Sequence, residues 1–131
     1  LLNYCSKYNI KIEAYGAIFT GAKHKFRGYD DTAISCFDHD ILRYIGDKYN
    51  RTSTQIMMRW SIQNGFIPIT QSTKTKRNRD NVDIFDFELN EKEMLIIGLL
   101  NEGDKCRHNW NPMKNVKWDY KINVNRATSK L

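Results

Sequence analysis

The stretch Phe66-Ile67-Pro68-Ile69-Thr70-Gln71-Ser72-Thr73-Lys74-Thr75-Lys76-Arg77-Asn78-Arg79-Asp80-Asn81 decides the fold. Its first four residues form a short apolar run after a turn signal, which reads as a buried strand. Pro68 is expected near the strand's start or at a bulge, because proline has no N–H to give a central ladder. The strand runs into a basic segment with Lys74, Lys76, Arg77 and Arg79, read as a short helix ending near Asn81-Val82. A helix that opens there offers an anion free backbone N–H groups and the positive end of its dipole. Taken alone, such a run of like charges is more often a solvated face.

Upstream, Thr52-Ser53-Thr54-Gln55 has the hydroxyl-x-x-amide spacing of a capping box. It predicts a helix carrying Ile56, Met57, Trp60 and Ile62, stopped by Asn64-Gly65. Before it, Asp38 is positioned to cap a helix striped by Ile41, Leu42, Ile45 and Tyr49. Ile10 to Tyr15 alternates as a strand. It follows the end of a helix in which Leu1, Leu2 and Cys5 share a face and Tyr4 and Tyr8 lie four apart. Asn9 suits the left-handed conformation of a helix stop. Residues 17 to 37 show no period and read as a long, mostly irregular loop, a length usually associated with function or mobility. Downstream, Asn90-Glu91-Lys92-Glu93 is a second cap signature, opening a helix with Met94, Leu95, Ile97 and Leu100. After Asn101 the chain turns polar, and its end is expected to fray. The strand–helix–strand order implies a parallel pair joined by a right-handed crossover.

Composition bounds the function classes. With 131 residues, 21 Lys+Arg against 15 Asp+Glu (net +6) and 40% hydrophobic content, the chain suits one soluble globular domain and not a disordered tail. A closed eightfold β/α barrel needs about 250 residues, so this chain cannot close one alone. No apolar run approaches the roughly 20 residues of a membrane-spanning helix; no signal peptide is visible, and no membrane association is expected. Because it starts at Leu1 and not Met, the chain is expected to begin inside a longer protein. Cys5, Cys36 and Cys106 are odd in number and widely spaced, which argues against a disulfide framework or zinc site and favours a reducing, cytoplasmic compartment. Cys36, Asp38, His39 and Asp40 read as a helix start with acidic caps, not as a metal or nucleophile cluster. Cys106 and His108 read as bystanders. A nucleic-acid module using Phe26, Tyr29 and the basic runs lacks any RNA-binding motif, so no nucleic-acid partner is expected.

Several stretches together resemble the C-terminal part of the aldo/keto reductase family. Leu1-Leu2-Asn3-Tyr4-Cys5 followed by Ile10-Lys11-Ile12-Glu13-Ala14-Tyr15 resembles the family's next-to-last barrel strand and the helix before it. Thr52-Ser53-Thr54-Gln55 with Arg59-Trp60 resembles its Thr-x-x-Gln helix. Ile69-Thr70-Gln71-Ser72, Arg77, Asp80-Asn81 and Phe85-Asp86-Phe87-Glu88-Leu89 follow its Ile-Pro-Lys-Ser-x-x-x-x-Arg-x-x-Glu-Asn and Phe-Asp-Phe-x-Leu. Trp110-Asn111-Pro112 is similar to its Trp-Asp-Pro.

The resemblance implies an α/β fold, the C-terminal fragment of a (β/α)8 TIM barrel with about two parallel strands plus helices. Residues 1–112 would be that barrel segment and 113–131 a C-terminal tail. It implies part of an NAD(P)H-dependent reductase of aldehydes or ketones, with NADPH the expected cofactor and NADH possible. The family's catalytic Asp, Tyr, Lys and His lie on earlier strands, so no catalytic residue and no metal ligand is expected here. Carried over residue by residue, Arg77 faces the adenosine 2′-phosphate, Ser72 offers it a hydroxyl, and Asp80 and Asn81 read the adenine edge. Gln71, Thr73 and Lys74 join that set. Gly16 and Ile18 approach the pyrophosphate through backbone N–H groups.

Two departures matter. The family's Pro-Lys becomes Thr70-Gln71, which removes a phosphate-binding lysine; Lys74 is expected to supply part of the missing charge. The family's Tyr-Ser-Pro-Leu-Gly becomes Tyr15-Gly16-Ala17-Ile18-Phe19, which removes a serine hydroxyl. Lys23, His24, Lys25 and Arg27 make the following loop basic, either a clamp over a dinucleotide or a segment disordered without one. Trp110 and Pro112 would border the pocket of a small-molecule carbonyl substrate. The rival reading is a degenerate or split family member that binds or assembles without catalysis. In either case two strands leave open edges and a bare sheet face, so the segment needs the N-terminal part of the barrel and is otherwise expected to self-associate.

Overall fold

In this computed structural model the described residues are 2–18 and 36–101. The basic-loop residues Lys23, His24, Lys25, Phe26, Arg27 and Tyr29 lie outside them. So do Cys106, His108, Trp110, Pro112 and the expected boundary at 112. Among the described residues seven elements follow in order: α1 (Leu2–Lys7), β1 (Ile12–Tyr15), α2 (Asp40–Tyr49), α3 (Ser53–Gln63), β2 (Phe66–Ile69), α4 (Thr75–Val82) and α5 (Glu91–Gly98). β1 and β2 pair in parallel, Ile12 opposite Phe66 through Tyr15 opposite Ile69. Pro68 is the third residue of β2, opposite Ala14.

β1 starts two residues later than its alternation suggests. Asn9 takes the left-handed conformation at φ 51°, and the Ile10 N–H donates to the Cys5 carbonyl at 2.8 Å. Ile10 therefore closes α1 instead of joining the ladder. Tyr4 and Tyr8 do meet, their ring centroids 4.7 Å apart, but Leu2 is exposed while Cys5 is buried. At α2 the cap position belongs to His39, not Asp38, and no side chain caps it. The Thr52 capping box is complete: the Gln55 N–H donates to Thr52 Oγ1 and the Thr52 N–H to Gln55 Oε1. Asn90 and Glu93 form a second one at α5.

The core is built from Leu42 and Ile45 of α2, Ile56 of α3, Ile97 of α5, and Cys36 and Leu89 from the connections. Ile41, Tyr49, Met57, Trp60, Met94 and Leu100 pack around it, as the helical stripes require. Leu95 departs from the expected α5 stripe and faces out.

The irregular segment between α4 and α5 has no ladder of its own, so its backbone groups need side-chain partners. α3 supplies them from one face, with residues spaced four apart. Gln55 Nε2 donates to the Asp83 carbonyl at 2.8 Å, and Arg59 Nη1 to the Ile84 carbonyl at 3.2 Å. Gln63 both donates to the Leu89 carbonyl and accepts from its N–H, at 2.9 and 2.8 Å. The Trp60 indole N–H reaches the Met94 carbonyl at 3.1 Å. The Thr-x-x-Gln and Arg-Trp spacing is thus that of a strap holding residues 83–94 against α3. Phe87 lies inside it, 5.2 Å from the Tyr49 ring and under the guanidinium groups of Arg51 and Arg59.

A polar cluster joins α2 to α5. Lys48 Nζ and the Tyr49 hydroxyl each donate to the Glu93 carboxylate at 2.6 Å. Burial pushes the Glu93 carboxyl up, but these bonds and that from the Asn90 N–H outweigh it and hold the group below the usual carboxylate range. The bond to Glu93 raises the Lys48 ammonium, and burial first, then the same carboxylate, raises the Tyr49 hydroxyl.

One sheet face is covered and the other is not. Ile12, Ala14, Phe66 and Pro68 are half-buried, whereas Glu13, Tyr15, Ile67 and Ile69 on the opposite face are exposed, Tyr15 by 76%.

Candidate anion-binding site

The parallel register sets the geometry. Tyr15 pairs with Ile69, so both strands end at the same place. Gly16 and Ile18 leave β1 where Thr70, Gln71 and Ser72 leave β2. Gly16 stands at φ 75°, a conformation that costs a residue without Cβ little and lets backbone approach a ligand closely.

α4 starts five residues beyond Thr70. Ser72 Oγ accepts from the Lys74 N–H at 3.1 Å, which turns the chain into the helix. Lys74 holds the cap position, and no side chain caps it. The first hydrogen bond into α4 runs from Asn78 N–H to the Lys74 carbonyl. The N–H groups of Thr75, Lys76 and Arg77 therefore have no partner within the helix. Lys74, Lys76, Arg77 and Arg79 are exposed, and none is in an ion pair with a described residue. Gln71 and Thr73 are exposed beside them and Ser72 is half-buried. Lys74 and Arg77 thus stand with the unpartnered donors at the start of α4, while Lys76 faces a cleft with Asp80 and Arg79 lies in the last turn.

Asn81 and Asp80 do not share a side of the helix. Asn81 Nδ2 donates to Thr70 Oγ1 at 3.1 Å, tying the last turn of α4 to the end of β2. Asp80 instead lines a polar cleft of about 420 Å³ with Lys76, Asp83, Arg51, Gln55, Thr52 and the end of α2. Thr70 reads in the sequence only as a missing proline; its hydroxyl is a tether that a proline cannot offer. Arg51 had no motif to mark it. Its guanidinium pairs with Asp83 at 2.8 Å and with Asp86. Among the described residues there is no His, Cys, Asp and Glu grouping able to hold a metal ion, and no helix is long and apolar enough to cross a membrane.

Two parallel strands followed by helices, with an anion-ready turn at their C-terminal ends, are the repeating parts of a (β/α)8 barrel and its functional face. The family model described as "Aldo/keto reductase family" matches residues 1–102. The chain belongs to the aldo/keto reductase family, and its fold is that of the C-terminal part of the barrel. It is 35% identical over 102 residues to the uncharacterized oxidoreductase YtbE of Bacillus subtilis, covering 78% of this chain and 32% of that one. It is 31% identical over 109 residues to the glyoxal reductase of the same bacterium, covering 83% and 35%. A solved aldo-keto reductase from Bombyx mori, in complex with NADP, superposes with a TM-score of 0.70 at 27% identity, over 86% of this chain and 35% of that one. The chain therefore spans about a third of the length of the curated relatives it matches.

Proposed function

We propose that this segment holds the adenosine-phosphate and pyrophosphate end of a nicotinamide dinucleotide, NADPH before NADH, in a protein that reduces aldehydes or ketones to alcohols. The observation that carries the reading is the uncapped start of α4. Three N–H groups and the Lys74 and Arg77 cations stand there, on the chain that leaves β2 where Gly16 leaves β1. Family membership and the NADP-bound Bombyx mori relative support it. Arg77 grips the 2′-phosphate with its planar fork and stacks against adenine. Ser72 and Thr73 add hydroxyl and backbone donors, and Asn81 contributes its remaining amide groups at the adenine edge. Gly16 and Ile18 meet the pyrophosphate through backbone N–H groups. When bound, the nicotinamide supplies the hydride. The residues of this segment bind and orient; the proton donor belongs to the rest of the barrel, on which the segment also depends to cover its bare sheet face.

Gln71 cannot pair with the 2′-phosphate as a lysine does, and Lys74 takes over part of that charge from the cap position. The test is a fluorescence titration of the full-length protein with NADPH and with NADH. Arg77→Ala is expected to weaken NADPH by about ten- to a hundredfold, through loss of the charge-assisted phosphate contact and of the adenine stacking, and NADH by a clearly smaller factor, through loss of the stacking alone. Lys74→Ala is expected to lower the NADPH/NADH preference in the same direction by a smaller factor. Equal affinities of wild type and Arg77→Ala for NADPH overturn the reading. An unchanged preference in Lys74→Ala removes that residue from it.

A further inference from the structure

We infer that Arg51, remote in sequence from the phosphate-binding turn, is a positioning residue for it; the inference rests on the proposed function and deepens it. α4 buries none of its residues, so no core contact fixes its direction. What holds it to the rest of the fold sits at its C-terminal end. Asn81 is tied to Thr70 of the strand end. The Asp83 carbonyl receives Gln55 Nε2, and the Asp83 carboxylate receives Arg51 Nη1. The cationic end, from Lys74 to Arg77, has no side-chain tether to another element among the described residues. α4 is therefore a lever held at one end, and the angle of the hold decides where the Arg77 guanidinium arrives.

Arg51 suits this role because it fixes two points at once. One arm takes Asp83 at the helix cap and the other takes Asp86 three residues on. The chain beyond α4 is thereby pinned on both sides of its turn toward Phe87, whose ring lies 5.6 Å from the Arg51 guanidinium. The guanidinium side chain is itself 19% exposed, packed where α2 turns into α3, and its backbone N–H bonds the Gly46 carbonyl at 2.8 Å. Its position is thus inherited from two helices of the core. A planar fork serves two carboxylates in a fixed geometry, whereas a lysine serves one at a time. Gln55, aligned by its capping box, is the second half of the same hold.

The test uses the full-length protein and adenosine 2′,5′-bisphosphate as probe, titrated by calorimetry, with thermal unfolding to confirm that each variant is folded at the assay temperature. Arg51→Ala is expected to weaken the probe roughly tenfold, the range of coupling carried by residues that touch neither ligand nor ligand contacts. Arg51→Lys is expected to recover part of that loss, and Asp86→Asn, which leaves the Asp83 pairing intact, to lose about threefold. Hydrogen exchange is expected to speed up in 75–82 and not in 53–63, which a general loss of stability would not produce. If Arg51→Ala is unfolded, Arg51→Lys and Asp86→Asn carry the same test. Folded Arg51 and Asp86 variants that bind within about twofold of wild type, while Arg77→Ala binds weakly, overturn the positioning role and leave the phosphate site standing. If Arg77→Ala also binds normally, the site reading fails and this inference fails with it.

Discussion

Gly46→Ala separates what helix propensity says from what the packing says. Gly46 lies well inside α2, where alanine is ordinarily better than glycine by about 1 kcal/mol. By that rule the substitution stabilises. The structure reverses the sign. A Cβ at Gly46 would lie 2.4 Å from the Arg51 carbonyl oxygen and 3.4 Å from its carbon, both backbone atoms. Ordinary carbon–oxygen contact needs nearly 1 Å more, so the α2–α3 turn must move, against a hydrogen bond that joins the same two residues. A contact this close to backbone belongs at the upper end of the about 1–3 kcal/mol that overpacking costs, and the propensity gain returns about 1, for a net loss of roughly 1–2 kcal/mol. Gly98→Ala is the control, because nothing lies within 4 Å of its Cβ; it is expected to be neutral or to stabilise by up to about 1 kcal/mol. The assay is urea unfolding of the full-length protein followed by circular dichroism. A Gly46→Ala protein as stable as wild type, or more so, refutes the close approach and with it the account of how Arg51 is held.

Other expectations follow from the same packing. Glu93→Gln is expected to cost about 1–2 kcal/mol at neutral pH, since it loses charge-assisted bonds from Lys48 and Tyr49. The folded Glu93 carboxyl titrates below its ordinary value of 4.5. Its contribution is therefore complete above that value and disappears as pH falls through the lower folded value. Unfolding curves of wild type and Glu93→Gln should converge on acidification; a gap that stays constant from neutral pH through the acid range rejects the assignment. The exposed sheet face predicts behaviour in solution. With Tyr15, Ile67 and Ile69 open to solvent, this chain alone is expected to sediment as an oligomer. Ile67→Lys with Ile69→Lys is expected to shift it toward monomer, and a chain already monomeric at tens of micromolar contradicts the need for the rest of the barrel.

Local rules recovered the helices well because their signals are local. The Thr52 and Asn90 capping boxes, and the apolar spacing of Leu42, Ile45 and Ile56, depend on neighbours within one or two turns. They also recovered the parallel pair, since two short apolar runs separated by helices leave few topologies. They misplaced the α2 cap, choosing Asp38 for its side chain although His39 occupies the position without any side-chain bond. They gave β1 two residues that the end of α1 claims, because alternation does not register a helix-closing bond such as that of Ile10 to Cys5. Leu95 fits the helical stripe by spacing, but the stripe of α5 is narrower than its apolar content. At the site, the cationic turn was visible as composition. Which of Asp80 and Asn81 meets the strand end and which the cleft was not, because it follows from how α4 is rotated by contacts from residues distant in sequence.

Those distant contacts explain why so much of this chain is devoted to a strap. A barrel needs its strand-end loops free to meet ligand, yet each loop must arrive at one place. β2 is four residues long and α4 buries nothing, so neither can aim the turn between them. The aim is set from behind. α3 bonds to the Asp83, Ile84 and Leu89 backbone through side chains four residues apart, α2 delivers Arg51 to the Asp83 and Asp86 carboxylates, and Thr70 closes the far side against Asn81. Each of these is a polar bond from a packed helix or a strand end to an irregular segment or to the end of α4, and together they leave the N-terminal end of α4 without a side-chain tether among the described residues. That is the end where Lys74, Lys76 and Arg77, unpaired among the described residues, repel one another, so stability and charge oppose each other there. An anion bound between them relieves the repulsion and supplies the missing tether, which is why affinity at this turn should fall steeply with ionic strength while the strap itself should not loosen.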